Sequence, residues 1–156
     1  MSVVSTTIRL TFTKLAGKTD RLVLEGFGRT LNIDCPKQRI IPHDMVHYAV
    51  ERVLGLRGFV RLVAAGQPEA ELRNADYDAH LGESIVETMQ AELWDGNRVT
   101  EADFLDMVRV TMETRGRVLA PLPQSFLDRL RAEITDLTAR WEQVAMNESI
   151  TLELPA

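Results

Sequence analysis

Two histidines four residues apart are the side chains in this sequence best suited to chemistry. His43 and His47 follow Pro42, a residue that commonly opens a helix. Helical residues i and i+4 lie one above the other, so both imidazoles can reach one point beside the helix, and zinc proteins use this spacing for that reason. The pair therefore predicts a divalent metal site, with zinc as the expected ion and His43 and His47 as ligands.

A further ligand is needed, and the candidates differ in their distance from the pair. Glu51 follows on the same edge of the helix, but it lies about 12 Å of helix rise beyond His43. His80 lies on a later predicted helix and reaches the pair if the two helices pack side by side. Glu51 or His80 is the predicted next ligand, and Glu83 and Glu87, one and two turns after His80, are alternatives. Three protein ligands would leave one position open for water.

Catalysis at such an ion would be metal-assisted hydrolysis. The ion lowers the pKa of a bound water, and Asp44 or Glu51 would handle the proton. The sequence does not specify the substrate, a small molecule or a peptide. Cys35, the single cysteine, lies near Lys37 and is a second candidate for reactivity, but a thiolate nucleophile also needs a positioned base.

The segment around the histidines resembles known metalloenzyme motifs. The run from His43 to His47 is similar to the zincin metallopeptidase motif His-Glu-x-x-His, which implies zinc ligation by both histidines and a general-base role for Asp44, here one methylene shorter than glutamate. The doublet His43-Asp44 also resembles that of the His-Asp phosphohydrolases, which hold divalent metals for phosphate ester cleavage, although no histidine precedes His43. The run from Pro42 to Leu56 further resembles an uncharacterised group of small bacterial proteins, which implies no activity.

The same residues also have a purely structural interpretation. Histidines at i and i+4 arise by chance on amphipathic helices, and the helix dipole alone favours Asp44 in a first turn. The alternative function is therefore a noncatalytic interaction or assembly protein. Its homodimer surface would be the C-terminal helix, where apolar residues recur at intervals of three and four from Leu127 to Val144, a stripe that would equally serve as intramolecular core.

Alternating apolar residues predict strands at both ends of the chain. Between Thr6 and Ile33 they recur every second residue, interrupted by turn residues at 17–20 and 26–28, and so predict an antiparallel meander of three strands. The residues from Ile150 to Leu154 alternate in the same way. They predict a last strand that returns to the N-terminal sheet.

The middle of the chain predicts about four helices. The first runs from Pro42 to Leu54 and is followed by a short helical turn from Gly58 to Ala65. The other three, at about 81–93, 100–116 and 123–147, carry apolar residues at helical spacing. We therefore predict an α+β fold, with three N-terminal strands and a C-terminal strand packed against these helices, in a single domain over residues 1–156.

Composition argues against several classes of partner. The formal net charge of −5 disfavours binding to nucleic acid or to an anionic membrane surface. No run approaches the roughly 18 apolar residues of a membrane span, and the segment from Met1 to Leu10 lacks the features of an export signal. With a single cysteine as well, we expect a cytoplasmic protein.

Overall fold

The computed structural model describes residues 7–37, 40–67 and 76–156. Four strands form one antiparallel sheet in the order β3-β2-β1-β4: β1 (Thr7–Thr13), β2 (Thr19–Gly26), β3 (Arg29–Pro36) and β4 (Ser149–Pro155). Five helices occur in the described part of the chain: α1 (His43–Leu54), α2 (Phe59–Ala64), α3 (Tyr77–Asp95), α4 (Glu101–Thr114) and α5 (Phe126–Glu142). The predicted α+β class and the four-stranded sheet are confirmed.

The sheet buries one face because its apolar residues alternate and are paired in register. Leu10 of β1 lies opposite Leu24 of β2 on one side and Leu152 of β4 on the other. All three are buried, and the exposed residues between them point to the opposite face. The C-terminal strand therefore pairs with the first strand, as its alternation predicts.

Helix α1 is the most enclosed element around the candidate site. It begins after Pro42 and ends at Gly55, whose positive φ of 66° is a backbone conformation that glycine adopts without strain. The residues from Asp44 to Glu51 are all buried, because α1 contacts α2, α3 and α5 as well as β3 and β4. A helix that is enclosed on so many sides holds its polar side chains in fixed, largely dry positions.

The predicted helical turn after α1 is the helix α2, so the count of about four helices becomes five. The apolar stripe of α5 belongs to the core of its own chain. Its members Leu127, Leu130, Ile134, Leu137 and Trp141 are between 0% and 6% exposed. These residues therefore serve as intramolecular core, the other role that their spacing permitted. None of the described helices is both long and apolar enough to cross a membrane.

Candidate metal centre

The first turns of α1 bring three potential ligands together. The Nε2 atoms of His43 and His47 lie 3.1 Å apart, and a carboxylate oxygen of Asp44 completes a group whose ligand atoms all lie within 4.8 Å of one another. Positions i, i+1 and i+4 fall within about 100° of the helix circumference, so one helix can present all three on one side. His43, Asp44 and His47 therefore lie within metal-binding distance of each other.

The separation of the two imidazole nitrogens suits a shared ion. Two nitrogens that each lie about 2.1 Å from one zinc ion are about 3.0–3.4 Å apart at bond angles between 90° and the tetrahedral value. The observed 3.1 Å falls in this range. The same distance also suits a hydrogen bond from one neutral imidazole to the other. The two rings can therefore adopt this arrangement with or without a bound ion.

The environment of His47 keeps its ring neutral. The side chain is 4% exposed and its ring lies 5.0 Å from that of Phe59, centroid to centroid. Burial, with a smaller effect from the charge of His43, lowers the pKa of His47 to about 3. A neutral imidazole keeps a nitrogen lone pair available for a metal at neutral pH.

His43 uses only one side of its ring. Its Nε2 faces His47, whereas its buried Nδ1 has no hydrogen-bond partner among the described residues. Histidine ligands usually donate this second ring N–H to an acceptor, so His43 lacks the outer support that His ligands commonly have. The ring is positioned by the helix and by its contact with His47, 4.8 Å away between centroids.

Asp44 interacts with the buried thiol of Cys35. The Asp44 carboxylate is 5% exposed and hydrogen-bonds with the Cys35 thiol, which is itself fully buried at the end of β3. Burial, together with the nearby carboxylates of Asp44 and Asp20, raises the pKa of the Cys35 thiol far above its usual range. A buried, protonated thiol is not a nucleophile, so the structure gives Cys35 a packing role beside Asp44.

Glu51 lies outside the three-residue group and has a different structural role. Its carboxylate oxygens accept hydrogen bonds from the backbone N–H groups of Val60, at 2.8 Å, and Arg61, at 3.0 Å. These N–H groups belong to the first turn of α2. Gly58, the residue before the helix, has no side chain that could cap them. A Cβ atom at Gly58 would lie 3.2 Å from the Glu51 side chain, so glycine permits this close approach. Glu51, which the sequence predicts as a ligand or a proton carrier, thus caps the N-terminus of α2.

Helix α3 forms the opposite wall of a cleft of about 710 Å³ that reaches the three ligands. His80, the other predicted ligand, lines this cleft but is not a member of the ligand group. Glu83, one turn later and also outside the group, has its Oε1 3.5 Å from the His47 Nε2. Burial raises the pKa of Glu83 above its ordinary value. The sequence placed all three α3 candidates on one helix face, but it could not rank them.

Arg115, at the end of α4, is the one arginine or lysine among the described residues lining the cleft. Its guanidinium is held by the Ser84 hydroxyl and by the Glu87 carboxylate. A smaller groove of about 350 Å³ lies between α3 and α5, but its Glu92 and Arg131 are already joined in a buried ion pair. The larger cleft is therefore the candidate site.

No protein-family model, curated protein or solved structure matches this chain. The resemblances noted in the segment from Pro42 to Leu56 therefore remain expectations. Function has to be inferred from the chemistry of the cleft.

Proposed function

We propose that this chain binds one divalent metal ion, with zinc as the expected ion, through His43, Asp44 and His47. The observation that carries the proposal is the placement of two imidazoles and a carboxylate within 4.8 Å of one another beside an open cleft. Two histidines and one carboxylate are a ligand set that catalytic zinc sites use. The enclosed helix α1 preorganises the set, because Asp44 and His47 are buried and held by their neighbours.

We further propose that the site performs metal-assisted hydrolysis of a small molecule. The cleft volume of about 710 Å³ lies within the ordinary range for small-molecule sites. A bound ion would lower the pKa of a coordinated water and so supply the nucleophile. In this proposal Asp44 is a ligand, because its carboxylate is grouped with the histidine nitrogens, and Glu51 takes no part, because both its oxygens are bound by α2.

Metal content tests the proposal without knowledge of the substrate. Untagged protein purified without chelator, or loaded with Zn²⁺ and desalted, is expected to hold about one equivalent of metal by elemental analysis. The His43→Ala/His47→Ala variant is expected to hold none, and circular dichroism checks that it still folds. Wild-type protein that takes up no divalent metal, or a folded double variant with the same metal content, would refute the site.

A further inference from the structure

Glu83 carries a carboxylate that faces the histidines of α1. It projects from α3 towards α1, its side chain is 42% exposed, and among the described residues it forms no ion pair with a lysine or arginine. Its Oε1 lies 3.5 Å from the His47 Nε2, and His43 is also close enough for its charge to act on Glu83. Arg115 is close enough to influence Glu83, but its hydrogen bonds go to Glu87 and Ser84.

Two carboxylates line the same cleft, one from each helix. Asp44 belongs to the ligand group on α1, and Glu83 of α3 lies beside His47, another member of that group. Arg115, which also lines the cleft, forms its hydrogen bonds with Glu87 and Ser84. Carboxylate oxygens are zinc ligands, so Glu83 offers a further donor next to His47.

We propose that Glu83 is a fourth protein ligand of the metal ion, contributed by α3 to the three ligands of α1. The inference rests on the proposed function. Glu83 lies outside the three-residue group, as His80 does, but its Oε1 is 3.5 Å from the His47 Nε2, close to the separation of about 3.4 Å between two ligand atoms of one tetrahedral zinc ion. Glu83 is partly exposed and has three side-chain torsions, so it can turn towards the ion while the helices stay in place.

This assignment joins two helices through one ion. The ion would link α3 to the first turn of α1. Glu83 would then be the α3 ligand in place of His80, which lies one turn earlier. Zinc sites with four protein ligands are closed, whereas catalytic zinc sites keep one position open for water. Hydrolysis at this site would therefore require water to displace Glu83 or to enter as a fifth ligand.

The affinity for Zn²⁺, measured by competition with a chromophoric chelator, separates ligation from general electrostatics. Glu83→Gln is expected to weaken binding at least about tenfold. The matched control is Glu87→Gln, which removes the same charge from the same wall of the cleft and frees Arg115 from its partner. Glu87 is not assigned as a ligand, so the control changes only the charges around the site, including that of Arg115, and is expected to weaken binding less than about fivefold. Equal losses in the two variants would overturn the assignment.

Two further measurements make the outcomes distinguishable. Co²⁺-loaded wild-type protein is expected to show the intense visible absorption of a tetrahedral ion, and Glu83→Gln a changed spectrum; an identical spectrum in both would count against Glu83 as a ligand. His47→Leu removes one of the three ligands from α1 and shows whether that site binds the ion. Loss of binding in His47→Leu with wild-type binding in Glu83→Gln would refute only the assignment of Glu83. No binding by wild-type protein would refute the metal site itself.

Discussion

Replacement of His47 by leucine is expected to lower the affinity for Zn²⁺ by at least about 100-fold, because it removes a direct ligand while mutation of outer partners alone commonly costs 10- to 100-fold. The folded state should tolerate the change. His47 is buried, neutral and packed against Phe59, so an apolar side chain of similar size suits its surroundings. The metal-free variant is therefore expected to unfold at the wild-type temperature or above it, as residues kept for function often limit stability.

His80→Leu is the matched histidine control for this prediction. His80 lines the same cleft but lies outside the ligand group, so its variant is expected to bind Zn²⁺ as the wild type does. Isothermal titration of metal-free proteins gives the affinities, and thermal melts followed by circular dichroism give the stabilities. Wild-type affinity in His47→Leu, or a loss confined to His80→Leu, would contradict the geometry of the site.

Replacement of Glu51 by alanine is expected to lower the free energy of unfolding by about 2–6 kcal/mol, because one buried and one part-buried N–H group lose their acceptor at roughly 1–3 kcal/mol each. The groups at risk are the backbone donors of Val60 and Arg61 at the start of α2. Urea denaturation measures the loss. Glu113→Ala, at an exposed position of α4, is the control and should change stability by less than about 0.5 kcal/mol.

The loss in Glu51→Ala should also depend on pH. Burial raises the pKa of Glu51 from 4.5 to about 7 in the folded protein, so the native state binds more protons than the unfolded state between these values. The stabilising contribution of Glu51 is therefore complete below pH 4.5 and is lost as the pH rises through 7. We expect the difference between wild type and Glu51→Ala to narrow from pH 5 to pH 8. A stable variant that binds metal poorly would instead make Glu51 a site residue.

The sheet and most helix positions could be predicted from periodicity alone. Alternation fixes which face of a strand is apolar, and Leu152 and Leu154 show the same alternation as Leu10 and Leu24, so the return of β4 to the sheet was predictable. The histidine spacing on α1 was equally informative, because helical geometry places residues i and i+4 together without help from tertiary structure.

The roles of the carboxylates could not be predicted, because they depend on contacts between elements. Glu51 lies on the same edge of α1 as the histidines. Because the chain turns back at Gly58, however, the Glu51 carboxylate accepts a hydrogen bond from the N-terminus of α2. Likewise His80 and Glu83 share one face of α3, and only the packing of α3 against α1 brings Glu83 to His47. Residue spacing within a helix says which side chains share a face, but not how far along that face the neighbouring helix crosses.

Anomalous X-ray scattering from crystals of zinc-loaded protein, recorded at the zinc absorption edge, tests the central claim most directly. The account predicts a single strong peak beside the cleft, about 2.1 Å from the Nε2 atoms of both His43 and His47 and in contact with the Asp44 carboxylate. A zinc-loaded crystal with no peak at this position, or with its ion bound elsewhere on the chain, would contradict it.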